Sequence, residues 1–120
     1  MARYVDGFVI PVPKKNLAVY RRMARKAGRI WREHGALSFT ETVAEDLEPD
    51  GVVPFARAVK TKTGEVVVFS FTVFKSRAHR DRVNAKVMVD PRIGPMMDPK
   101  AIPFDAKRML YGGFSVLVDL

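Results

Sequence analysis

Two segments of the chain, Tyr4–Val12 and Glu65–Phe74, alternate with the period of a β-strand yet carry apolar residues on both of their faces. In the first, Tyr4, Phe8 and Ile10 fall on one side and Val5 and Val9 on the other. In the second, valine and phenylalanine dominate, as suits a central strand. A sheet built on such strands needs cover on both faces. Helix-like spacing occurs over about Leu17–His34 and about Arg77–Val89, and two helices cover one face. The other face is expected to pack against a second copy of the chain, because an extended exposed apolar surface marks an assembly interface.

The first helix follows Asn16, read as its N-cap, and stops at Gly35. Leu17, Tyr20, Ala24, Ala27, Trp31 and His34 recur three or four apart as its apolar stripe, and arginines crowd the opposite side. Alternation returns over Ala36–Ala44, where Leu37, Phe39, Glu41 and Val43 share a face. Leu47–Pro54 is rich in turn formers, and Phe55–Val59 suits either a short strand or a helical turn. Ser76 caps the second helix, which ends before Pro91. Ile93–Pro103 reads as irregular, and the last strand as about Arg108–Val118. Pro11 and Pro13 end the first strand. The order is β-α-β-β-α-β, a ferredoxin-like α+β sandwich. At 120 residues with 48% hydrophobic content, the expectation is one domain over 1–120.

Composition narrows the function classes. With no cysteine there is no disulfide or thiolate chemistry, and His34 and His79 are too few for a histidine-built metal site. No phosphate-binding glycine loop, zinc-protease motif or nucleophile elbow occurs, so neither a cofactor nor a metal is expected. No run approaches the roughly 18 apolar residues of a membrane span, and a cytoplasmic location is the expectation. The formal charge of +8 favours anionic partners. The basic helix lacks interleaved exposed aromatics, so any nucleic-acid binding, RNA included, is expected to be weak and salt-sensitive.

The segment Phe104–Phe114 carries most of the chemical promise. Adjacent Gly112 and Gly113 in a closing strand mark a bend or a close approach to the backbone, and hence a candidate pocket floor. Asp105, Arg108 and Tyr111 beside them are the candidate ligand-binding residues: Arg108 offers a rigid donor fork, Tyr111 a hydroxyl, and Asp105 an acceptor or an orienting partner for Arg108. Glu41, set among apolar neighbours, is the candidate catalytic base. Asp6 stands on a largely apolar face and reads as a strand-end carboxylate at the sheet rim; His34 and Asn84 complete the polar candidates.

Tyr4-Val5-Asp6-Gly7-Phe8 with Pro11-Val12-Pro13, Phe69-Ser70, Asn84-Ala85-Lys86 with Met88 and Asp90-Pro91, Pro103-Phe104-Asp105, Lys107-Arg108-Met109 and Tyr111-Gly112-Gly113-Phe114 together resemble the YbaA-like family of uncharacterised small proteins. The resemblance covers nearly the whole chain. It implies a ferredoxin-like protomer in a dimeric α/β-barrel arrangement, and it supplies no reaction. The expectations are therefore a homodimer that binds or transforms a small organic molecule in a pocket near the last strand, or a homodimer with a purely ligand-binding or structural role.

Overall fold

The computed structural model describes residues 2–120. Its elements are β1 (Tyr4–Pro13), α1 (Leu17–Glu33), β2 (Ser38–Val43), α2 (Phe55–Ala58), β3 (Glu65–Phe74), α3 (Arg77–Met88), α4 (Ile93–Met96) and β4 (Leu110–Ser115). The four strands form one antiparallel sheet in the order β2-β3-β1-β4. This is the ferredoxin-like arrangement expected from the element order.

The central pair β1 and β3 runs in register from Tyr4 opposite Phe74 to Pro13 opposite Glu65. Pro11 and Pro13 do not end β1 as expected. Odd-numbered residues of β1 bond toward β4, as Arg3 does in accepting from the Val116 amide, and even-numbered ones bond toward β3. Pairing with β4 stops at Val9. The two prolines therefore sit where no partner strand needs their missing amide hydrogens.

On the covered face the core forms two clusters. Ile10, Val12 and Val68 pack with Tyr20 and Ala24 of α1. Phe74 packs with Ile30, Val83, Val87 and Ile93. Burying each of the valine, isoleucine and phenylalanine side chains contributes roughly 1.5–3 kcal/mol. Between the clusters the same face carries polar side chains, Asp6, Ser70 and Thr72, all buried. On the opposite face Phe69 and Phe114 remain 42% and 60% exposed. Phe55 of α2 meets Phe69 edge-on at 6.1 Å, at the end where Val67 is buried.

Several local expectations shift. Asn16 stands at the N-cap position of α1 as expected, but its side chain makes no capping bond; a 3₁₀ turn, Lys14–Asn16, leads into the helix, and the Asn16 amide donates to the Pro103 carbonyl at 3.0 Å. The side chain thereby ties the helix start to a distant loop. Phe55–Ala58 is a helical turn, and a short helix interrupts the irregular segment at Ile93–Met96. Ser76 does cap α3, accepting from the His79 amide at 3.1 Å. β4 begins at Leu110, because Ala106–Arg108 is a 3₁₀ turn capped by Asp105. Arg108 thus precedes the strand, and its side-chain direction does not follow strand alternation. Gly113 has the close approach that the double glycine implied: a Cβ there would lie 2.8 Å from the Tyr4 ring edge, so the phenol occupies that space.

Candidate functional site

The first constellation lies where α1 crosses β2. Gly28 lets the helix approach the Phe39 ring so closely that a Cβ there would stand 2.9 Å from Cε1. Beside that contact a groove of about 900 Å³ opens between helix and strand, a size that suits a small organic ligand. Tyr20, Ala24, Phe39 and Val68 are among its lining, with Arg21, Arg25, Arg29 and Arg32 along the helix side. Glu41 projects into it. The Tyr20 hydroxyl donates to Glu41 Oε1 at 2.5 Å. Burial pushes the Glu41 carboxyl above the usual carboxylate range, opposed by the hydrogen bond from Tyr20. Burial first, and then the neighbouring carboxylate, push the Tyr20 phenol well above its ordinary value. The shared proton therefore rests on Tyr20, and Glu41 is left as the acceptor.

The second constellation is built around Asp6, the third residue of β1, which is 3% exposed and flanked by Thr72 of β3 and Gly113 of β4 rather than standing at a rim. Arg80 Nη1 donates to Asp6 Oδ1 at 2.9 Å and to the Tyr111 hydroxyl at 2.8 Å. Tyr111 in turn donates to Asp6 Oδ1 at 3.3 Å, and Asn84 Nδ2 donates to Asp6 Oδ2 at 3.2 Å. Trp31 Nε1 donates to Asn84 Oδ1 at 3.0 Å, which carries the network to α1. The Arg80 guanidinium lies 4.8 Å from the centre of the Tyr4 ring. Its buried Nε sits 2.9 Å from Asp81 Oδ1, an ion-pair distance, but off the N–H direction, so that donor makes no hydrogen bond. Burial and the Asp6 charge raise the Tyr111 phenol, which stays a neutral donor.

The four candidate residues do not converge. Glu41 pairs with Ser70, Ser70 with Phe8, and Phe8 with Tyr111. Glu41 and Tyr111 thus share a face and a cross-strand row but stand at opposite sheet edges, three strand spacings or about 14 Å apart. Arg108 is bidentate to Glu65, at 2.6 Å and 2.9 Å, and also donates to the Lys60 carbonyl at 2.9 Å. This clamp holds the Glu65 carboxyl down at about 2, through the Arg108 hydrogen bond first and the Lys62 amide second. Asp105 accepts from the Lys107 amide at 3.0 Å and is exposed. His34 bonds Asp90 at 2.8 Å, tying the end of α1 to the turn after α3.

Sequence reasoning missed Tyr20 and Arg80. Tyr20 reads as core from its stripe position, and nothing local reveals that its hydroxyl meets a strand 21 residues away. Arg80 had an indirect signal: a carboxylate on an apolar strand face requires a cation, and Asp6 is such a residue.

A second concavity, of about 540 Å³, lies against β4 on the uncovered face, with Gly7 and Gly112 in its lining among Val5, Phe69, Phe71 and Phe114. A family model described as "Protein of unknown function (DUF1428)" matches residues 3–106. The chain belongs to this family. The uncharacterized protein YbaA of Escherichia coli (strain K12) is 46% identical to this DUF1428 protein over 118 residues, covering 98% of each chain. The protein of the same name from Shigella flexneri matches to the same extent. Among solved structures, SnoaB, a cofactor-independent oxygenase from Streptomyces nogalater, superposes with a TM-score of 0.58 at 13% identity, covering 100% of this chain and 98% of that one. At that identity the likeness is one of fold. Several motif residues that carried the family resemblance, Tyr4, Asp6, Asn84, Tyr111 and Gly113, meet in the Asp6 network. In this DUF1428 chain no helix of the described residues is long and apolar enough to cross a membrane.

Proposed function

We propose that the protein binds a small organic molecule in the groove between α1 and β2, and that Glu41 there accepts a proton from it. The observation that carries this reading is the pairing of an open groove of about 900 Å³ with a carboxylate whose affinity for protons is raised by burial and whose geometry is held by Tyr20. The resemblance in fold to an enzyme described as a cofactor-independent oxygenase is compatible with chemistry run by side chains alone. Asp105, Arg108 and Tyr111 take supporting parts in this proposal. Arg108 and Asp105 order the turn that leads into β4, and Tyr111 completes the clamp on Asp6.

The test is an NMR titration of the ¹⁵N-labelled protein with a library of small organic compounds. Binding should shift the amides of Ala24, Gly28 and Phe39. Hits that leave these unmoved while shifting β4 would overturn the assignment of the site. For a bound C–H or O–H acid, exchange of the labile proton should slow at least tenfold in Glu41→Gln. Equal exchange rates with undiminished binding would favour the alternative, a binding protein without chemistry.

We also propose that the uncovered face, with its apolar concavity against β4, is the seam of a homodimer. Phe69, Phe71 and Phe114 around two glycines present a surface that a second copy would cover, and a stable seam needs about 1,200 Å² in total. Light scattering at micromolar concentration should give twice the chain mass, and Phe71→Lys should halve it. A wild-type monomer at that concentration would refute the dimer.

A further inference from the structure

Three arginines of the groove have no ion-pair partner among the described residues. Arg21, Arg25 and Arg29 recur every fourth residue along one line of α1 and all line the groove. Over eight residues that line runs about 12 Å. Among the described residues, none of the three forms an ion pair with a carboxylate. The other charged groups of the groove are already engaged. Glu33 is held by Arg92 at 2.7 Å, Glu41 by Tyr20, and Arg32 donates to the Ala36 and Leu37 carbonyls. The floor between them is apolar, made by Ala24, Gly28, Phe39 and Val68. One wall therefore presents free guanidinium groups, the floor presents hydrocarbon, and a single carboxylate projects from β2.

We infer that the occupant of this groove is an amphipathic organic anion, an apolar body carrying a carboxylate, sulfonate or phosphate that the Arg25 and Arg29 guanidinium groups receive. The inference rests on the groove being the site, and it adds the class of ligand. Guanidinium is weakly hydrated and matches planar or tetrahedral oxyanions with two parallel donors. The ligand's charge also keeps its orientation fixed. An anionic end at the helix is repelled by the Glu41 carboxylate, so the apolar body, with any acidic hydrogen it bears, is the part turned toward β2.

Two probes with one aromatic skeleton separate charge from shape: 1-anilinonaphthalene-8-sulfonate, an anion, and N-phenyl-1-naphthylamine, its uncharged counterpart. Each is titrated into the labelled full-length protein and into the Arg25→Gln Arg29→Gln double variant, with inorganic phosphate as a third probe that has charge and no apolar body. The sulfonate should bind the wild type at least about tenfold more tightly than the neutral amine, a difference of about 1.4 kcal/mol, and shift Ala24, Gly28 and Phe39. In the double variant that advantage should fall below about threefold, with the amine unchanged. Phosphate should bind more weakly than the sulfonate by tenfold or more. Equal affinity for amine and sulfonate, both in the groove, overturns the anionic class and leaves the groove as the site. Phosphate matching the sulfonate overturns the amphipathic part. Groove amides that move with none of the probes remove the site and the inference together.

Discussion

Asp6 and Glu41 are both carboxylates under the helices of the same sheet, and their surroundings make them opposites. Asp6 accepts from Arg80, Asn84 and Tyr111, groups delivered by α3 and β4, and it is sealed from solvent. Glu41 accepts from Tyr20 and faces open volume. Saturation turns the first into a clamp that locks α3 and β4 onto β1. A carboxylate with spare lone pairs and room beside it is free to meet a ligand. Burial of an acid is thus no guide to function by itself; the number of donors already committed to it separates the clamp from the proposed acceptor.

The comparison breaks most visibly at Asp6. Asp6→Ala leaves the Arg80 guanidinium buried without its partner and should cost about 3–5 kcal/mol in urea unfolding. Adding Arg80→Met should recover part of the loss, as expected for a pair whose charges depend on each other. A stability loss confined to a few tenths would mean that Asp6 is no clamp.

Arg108→Ala should come next, lowering the thermal midpoint by several degrees at pH 7 without changing the affinity of a groove ligand. Glu65 ionises at about 2 in the folded protein, below its ordinary 4.5. The clamp's contribution is therefore complete above the unfolded value and disappears as pH falls through the folded one. The gap between wild type and variant should narrow below pH 4. A gap independent of pH would point to lost packing rather than a lost ion pair.

Glu41→Gln should have the smallest effect on stability and the opposite sign. The folded protein holds the Glu41 proton more tightly than the unfolded chain, through burial. The wild type therefore loses stability as pH rises from the unfolded value, 4.5, through the raised folded one. The amide variant escapes that loss. Its midpoint should match the wild type near pH 4 and exceed it slightly at pH 8, while proton exchange from a bound ligand slows. A variant less stable than wild type at pH 8 would place Glu41 among structural acids such as Asp6.

Much of the fold was legible because it is written in local periods. Alternation in Tyr4–Val12 and Glu65–Phe74, three- and four-residue spacing in α1, the Ser76 cap and the stop before Pro91 each depend on neighbours a few residues apart. The local expectations that shifted did so for tertiary reasons. Asn16 begins α1 as expected, but its side chain reached for Pro103 instead of its own helix, and the prolines of β1 were tolerated because the pairing with β4 stops at Val9. Of the candidate site, Glu41 stood out in the sequence as a carboxylate among apolar neighbours on its strand. Its partner Tyr20 was not, nor was the grip of Arg108 on Glu65, which joins positions 43 residues apart.

What the chain determined by itself was the order of elements, the two-sided apolar strands that call for a second cover, and the glycine at position 113 that makes room for Tyr4. The tertiary structure decided which polar groups meet. Register placed Glu41 and Tyr111 at opposite ends of one row, and the docking of α3 delivered Arg80 to Asp6 across 74 residues. Hydrogen bonds and ion pairs act over about 3 Å. A partner is therefore settled by where helices and strands come to rest, and sequence periodicity carries no distance between elements.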